Sequence, residues 1–156
     1  MSVAVASTEL PGTVHEAERC WYDTARWPAW VEGLEHVDHV DPGYPEAGAE
    51  VRWHSGPAGR GQVRERVLVH EALGSQRVAV ADDSIDGEQE VRFTAAGEGR
   101  VYVELTLEYR IRARNLLTPV VDRLFVRPAM RHSLESSLHR FGVTLAEERA
   151  SGRPRT

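Results

Sequence analysis

Residues 100–112 read Arg-Val-Tyr-Val-Glu-Leu-Thr-Leu-Glu-Tyr-Arg-Ile-Arg. Val101, Val103, Leu105, Leu107, Tyr109 and Ile111 share one parity, and Glu104, Thr106, Glu108, Arg110 and Arg112 share the other. Side chains alternate across a strand, so this segment is a strand with one dry and one wet face. A sheet of such strands needs a cover for its dry side. The next stretch supplies it. Thr118 reads as an N-cap with Pro119 at the first helical position, where a missing N–H costs nothing. Val121, Leu124 and Phe125 form a first apolar stripe, and Met130, Leu134, Leu138, Phe141 and Leu145 a second. The phase slips between the two stripes, and Pro128 lies in the gap, which predicts a kinked helix. Gly152 is a natural stop, leaving residues 151–156 as a disordered tail beyond a single domain of residues 1–150.

Working back from residue 100, period-two runs predict strands near 36–41, 50–55, 62–72, 76–82 and 89–95. The separators are Asp41-Pro42-Gly43, Gly56-Pro57-Ala58-Gly59, Leu73-Gly74-Ser75, Asp86-Gly87 and Gly97-Glu98-Gly99, short enough for antiparallel hairpins. Parity places Val63, Glu65, Val67 and Val69 on one face of the 62–70 run, with Arg64, Arg66 and His70 opposite. Val91 and Phe93 likewise oppose Glu90, Arg92 and Thr94. The wet face therefore mixes arginine with glutamate, as cross-strand charge pairs require. At the front of the chain, Ser2–Ser7 reads as a strand broken by Leu10-Pro11-Gly12. Thr13 and Glu16 then make a capping box, and Val14, Ala17 and Trp21 the apolar stripe of a short helix. Asp23 caps a second helix, which Pro28 limits to a turn or two by disfavouring helical geometry at Trp27.

Composition narrows the function classes. The 156 residues carry a net charge of −5, and all 19 basic residues are arginine. Without lysine there is no Schiff-base chemistry and no lysine-assisted phosphate binding. Net acidity argues against a nucleic-acid partner. One cysteine, Cys20, excludes an internal disulfide, and its place beside Trp21 suits a buried inert thiol. Neither a signal peptide nor an apolar run long enough for a bilayer is present, so a cytoplasmic protein without membrane insertion, monomer or homodimer, is expected. No G-x-S-x-G occurs, and Gly56-x-x-Gly59-x-Gly61 fits neither phosphate-binding fingerprint.

The order of strand, two short helices, about six strands and a long C-terminal helix resembles the helix-grip fold of the START/SRPBCC (Bet v 1-like) superfamily. Trp27-Pro28-Ala29-Trp30 is similar to the W-P-x-W signature of its polyketide cyclase/dehydrase and lipid transport branch. Gly99-Arg100-Val101 leading to Leu107-Glu108-Tyr109 resembles that branch's penultimate segment, although the branch usually has Gly-Thr where Gly99-Arg100 stands. Leu134, Leu138, Phe141 and Leu145 before Glu147-Glu148 resemble its closing helix. The resemblance covers residues 2–149. It implies an α+β fold in which a curved antiparallel sheet of about seven strands wraps around a long kinked helix. It also implies a cavity between the two that serves carriers and cyclases alike.

Glu65 stands out because parity puts a carboxylate among valines, where an ionised group is costly unless paired. It is either a pocket carboxylate or one paired with arginine or turned outward by a bulge. Tyr109 is the other polar group on the dry face and resembles the fold's pocket tyrosine. His39, Tyr44 and Asp82 are weaker additions. Trp27, Trp30, Trp53, Val67, Phe93, Met130 and Leu134 are expected to complete a mostly apolar binding cavity with Glu65 and Tyr109. His36 and His39 fall on opposite strand faces and His132 and His139 lack a third ligand, so no metal is expected, and no cofactor. The expected function is binding of a small, largely apolar ligand: a lipid, a quinone or a polyketide-like aromatic. The alternative is an aromatase/cyclase or dehydratase moving protons through Glu65 and Tyr109. A protein-interaction module is the weakest reading, since it needs an exposed apolar patch.

Overall fold

The computed structural model describes residues 1–56, 61–112 and 118–152. Within them seven strands form one antiparallel sheet: β1 (Ser2–Pro11), β2 (Leu34–Val40), β3 (Glu50–Ser55), β4 (Gln62–Glu71), β5 (Ser75–Ala81), β6 (Ile85–Ala95) and β7 (Arg100–Ile111). Their order is β1-β7-β6-β5-β4-β3-β2, so the first strand pairs with the last while the others follow the chain. Helix α1 (Val14–Trp21), a 3-10 turn (Thr24–Arg26) and α2 (Trp27–Trp30) carry the chain from one sheet edge to the other. At the C-terminal end α3 (Thr118–Val121) passes through a π-helical turn (Asp122–Val126) into α4 (Arg127–Ser151). This is the helix-grip architecture, with α4 laid against β1, α1 and α2.

Local chemistry sets the element ends. The Thr13 hydroxyl accepts from Glu16 N at 3.1 Å while the Glu16 carboxylate accepts from Thr13 N at 3.0 Å, a complete capping box. Asp23 accepts from Ala25 N and opens the 3-10 turn. Gly152 ends α4, as its position in the sequence implies. Gly142 has a different task. A side chain there would press on Leu10, so its bare backbone lets α4 settle against the end of β1. On the wet face, Arg77–Glu90, Arg92–Glu90 and Arg100–Glu9 are the ion pairs that the mixed charges imply, each worth little in solvent.

Four aromatic rings nail the helices to the sheet. Trp21 from α1 and Trp30 from α2 lie 4.5 Å apart, and Phe141 from α4 meets both at 5.1 Å. Phe93 from β6 touches Trp21 edge-on at 5.9 Å. These tilted and edge-to-face contacts are the arrangements aromatic quadrupoles favour. Cys20 is fully buried beside them, and burial pushes its thiol pKa far above the reactive range.

Several boundaries differ from the sequence expectation. β1 continues through Pro11, tolerated because β1 is an edge strand whose last pair is Pro11 with Arg100. β6 begins at Ile85, so Asp86-Gly87 lies inside the strand. The turn is made instead by Asp82, whose carboxylate accepts from Ser84 N and Ile85 N. Trp27 is helical despite Pro28, because burial and a 2.8 Å hydrogen bond from its indole N–H to Trp21 O hold it there. The break in α-helical phase is a π-turn, in which Arg127 N donates to Asp122 O, rather than a kink seated on Pro128. Its consequence is large. Val121, Leu124 and Phe125, expected as core, are 43%, 60% and 68% exposed, while Asp122 points inward. Residues 57–59 of the expected Gly56–Gly59 separator and the tail beyond Gly152 lie outside the described residues.

Parity fails once within β4. A bulge in β4 between Val67 and Val69 turns Val69 outward, 46% exposed, and brings the His70 side chain to 6% exposure. His70 then packs edge-on against Tyr22 at 5.2 Å and meets Glu46 at 3.0 Å.

Candidate functional site

All four tryptophans of the chain, Trp21, Trp27, Trp30 and Trp53, border one cavity between α1, α2, α4 and the inner face of β3–β7. Its volume is about 60 Å³, room for about two waters. The polar groups that reach it are Glu65 on β4, Gln76 on β5, Gln89 on β6, Tyr44 in the β2–β3 loop, and Glu32, Ser133 and Ser137 at the α2–α4 side. Leu134, Val31, Val80 and Leu105 complete the wall.

Glu65 is placed by parity, directly across from Val51 and next to the Trp53 position of β3. Its Oε2 accepts a 2.7 Å hydrogen bond from the Trp53 indole N–H. The indole N–H fixes the orientation of the Glu65 carboxyl group within an aromatic wall. Tyr44 is its neighbour. Burial holds the Tyr44 phenol well above its usual pKa, and the Glu65 charge adds to the effect, so this hydroxyl stays protonated. Gln76 donates to Pro45 O at 3.1 Å, which ties the Tyr44 loop to β5. Trp30 contributes a buried indole N–H without a hydrogen-bond partner among the described residues. The α2–α4 side is held by Glu32, whose backbone N donates to Ser137 Oγ at 2.9 Å and whose carboxylate accepts from Ser136 Oγ at 2.8 Å.

The sequence-expected residues divide into three groups. Trp27, Trp30, Trp53, Glu65 and Leu134 border the cavity. Val67 and Phe93 are buried in the core without bordering it, and Met130 packs on the core from the helix side. Tyr109 lies elsewhere. Its hydroxyl donates at 2.5 Å to Asp122, which also accepts from Ser2 and, at 3.3 Å, from Arg127. Burial and the Asp122 carboxylate raise the Tyr109 phenol to about 12. This is a lock between β7, β1 and the π-turn. Of the weaker additions Tyr44 reaches the cavity, Asp82 caps its turn, and His39 pairs with Asp41 at 2.5 Å.

Gln76 and Gln89 are cavity residues that sequence reasoning misses, although their parity is available. Gln76 alternates with Val78 and Val80, and Gln89 with Val91 and Phe93. Ser133 and Ser137 flank Leu134 on α4, where small polar residues in an apolar stripe are the signal.

The family model described as polyketide cyclase / dehydrase and lipid transport matches residues 1–146. No curated protein matches the sequence. Among solved structures, TTHA0849 from Thermus thermophilus is similar with a TM-score of 0.73 and 20% identity, covering 97% of this chain and 100% of that one. A norcoclaurine synthase from Thalictrum flavum gives a TM-score of 0.71 at 11% identity over 95% of this chain and 96% of its own. A START superfamily protein from Mycobacterium smegmatis gives 0.65 at 11% identity, covering 94% and 95%. At these identities the likeness is one of fold. No described helix is long and apolar enough to cross a membrane.

Proposed function

The chain belongs to the polyketide cyclase/dehydrase and lipid transport family, and from that premise we propose that it binds a small, flat, largely apolar ligand bearing a hydroxyl or carbonyl group, of the quinone or polyketide-aromatic class. The observation that carries this reading is the Trp53–Glu65 pair, a fixed carboxylate facing a cavity walled by indoles. A purely structural core would be cheaper with an apolar residue there. The ring-lined walls favour a planar ligand over an acyl chain. The cavity of about 60 Å³ is below the roughly 150 Å³ that admits a benzene-sized guest. Entry therefore includes a widening, for which the four-residue α2 carrying Trp27 and Trp30 is the element with the least chain to move.

One observation favours turnover as a second reading. A carboxylate acceptor and a phenol held protonated share the cavity, which is the pairing a cyclisation with loss of water uses. Glu65→Gln separates the two. The amide oxygen can still accept from Trp53, so the substitution removes the carboxyl group's capacity for charge with little change of shape. Indole fluorescence titration with a hydroxynaphthoquinone is expected to show affinity weaker by about 10- to 100-fold, the loss of one charge-assisted hydrogen bond. Menadione, which has no hydroxyl, is expected to bind both forms alike. Unchanged hydroxynaphthoquinone affinity would remove Glu65 from ligand binding. If turnover of a polyketide-like chain were found in the parent and lost in Glu65→Gln at constant affinity, the enzyme reading would replace the carrier.

A further inference from the structure

The edge strand β2 and its neighbour β3 carry a cluster on their outer face, away from the cavity. His36 and Asp38 are two residues apart on β2 and point the same way, with Val37 between them packed against the core. His54 on β3 is the direct cross-strand partner of His36 and lies between the buried Trp53 and Ser55, so it too faces outward. The imidazole rings stack with centroids 5.3 Å apart and planes within 16°. Asp38 stands between them. Its Oδ1 lies 2.5 Å from His36 Nε2, and its Oδ2 meets His54 Nδ1. Irregularities in the β2–β3 register on both sides of His36–Val37 twist β2 and bring the three donors together.

We propose that His36, Asp38 and His54 form a binding site for a divalent transition-metal ion of the zinc class on the outer face of β2 and β3. One ligand atom from each residue lies within 4.8 Å of the other two, a span that small side-chain rotations reduce to a coordination shell. Two imidazoles and one carboxylate are the donors preferred by zinc, cobalt and nickel over magnesium or calcium. The competing arrangement is a carboxylate that hydrogen-bonds both rings. Against it, His54 Nδ1 is shut off from solvent and makes no hydrogen bond of acceptable geometry among the described residues, although Asp38 lies against it. A cation held by both satisfies that nitrogen. Comparing His36 with His39 along one strand conceals this site, because the second imidazole comes from the neighbouring strand. Three protein ligands leave positions for water, so the ion would pin an irregular edge strand while keeping an exchangeable site.

The test uses the full-length, untagged chain and Co²⁺. One equivalent is expected to produce a visible d–d absorption band that Zn²⁺ displaces and Mg²⁺ does not. His54→Gln and Asp38→Asn are each expected to weaken binding by at least about tenfold, since even an outer-shell partner of a metal site is worth that much. His39→Gln, outside the cluster, should leave the band unchanged. All three positions are partly exposed, and unchanged far-UV circular dichroism verifies folding. Absence of a band at millimolar Co²⁺, or a band that survives both His54→Gln and Asp38→Asn, overturns the proposal.

Discussion

Gly87→Ala is expected to destabilise the protein by about 3 kcal/mol or more and to lower its melting temperature by roughly 6–12 °C. Gly87 sits in the interior strand β6, paired with Tyr109 of β7. A methyl group there would collide with the Glu108 carbonyl oxygen and come 2.8 Å from Tyr109 Cα. Both obstacles are backbone, so no side chain can swing aside, and relief requires the β6–β7 ladder to part beside the Tyr109–Asp122 lock. Gly43→Ala is the matched control. Nothing lies within 4 Å of a Cβ at that loop position, and the change should stay within about 0.5 kcal/mol. Denaturant midpoints measure both. Equal stability of Gly87→Ala and the parent would mean that β6 and β7 do not approach so closely.

The second large effect belongs to Asp122. Its side chain is 7% exposed and receives hydrogen bonds from Tyr109, Ser2 and Arg127. Asp122→Ala leaves a buried phenol and an arginine without their acceptor, at a cost of about 3 kcal/mol. Its pH dependence identifies the cause. Burial alone would raise the Asp122 pKa, but the bonds from Ser2, Tyr109 and Arg127 outweigh it and hold the carboxyl below its usual range. A depressed native pKa gives stability that is complete above the unfolded-state value, near 3.9, and is lost as pH falls through the native value. The gap between parent and Asp122→Ala should therefore be flat from pH 8 to about 5 and close below about 4. A gap that persists unchanged at pH 3 would assign the loss to packing. Tyr109→Phe should cost less, about 1–2 kcal/mol, and should leave hydroxynaphthoquinone affinity intact, since Tyr109 does not border the cavity.

The contrast between Glu65 and Tyr109 shows what a sequence can and cannot disclose about this chain. Alternation puts both on the dry face, and both are there. Alternation gives the face but not the position along it. Glu65 opposes β3 within the tryptophan-lined region, whereas Tyr109 lies at the far end of β7, against Ser2 and the π-turn. The hairpin succession from β2 to β7, the capping box and the Met130–Leu145 stripe of the closing helix are legible because each rests on short-range chemistry or an unbroken period, whereas the pairing of β1 with β7 is long-range and comes only with the fold resemblance. The bulge at Val67–Val69 is not legible, and the π-turn at Asp122–Val126 is legible only as a phase slip, which the sequence assigns to Pro128. Each inserts a phase shift whose cause is tertiary: packing of His70 against Tyr22, and capture of Asp122 by Tyr109 and Ser2. Tyr44 sits in a loop with no period at all, which is why sequence alone gives it only a weak place at the site.

The four indole N–H groups offer the most direct test of the proposed cavity. In a ¹H–¹⁵N spectrum, with signals assigned by single Trp→Phe variants, a hydroxynaphthoquinone is titrated into the protein. Trp53 donates to Glu65, and the Trp30 indole N–H has no hydrogen-bond partner among the described residues. Their two signals should shift saturably and to the greatest extent, with Trp30 gaining an acceptor. Indole signals that remain in place while the probe binds elsewhere, or a probe that fails to bind at its solubility limit, would contradict a ligand site between the sheet and α4.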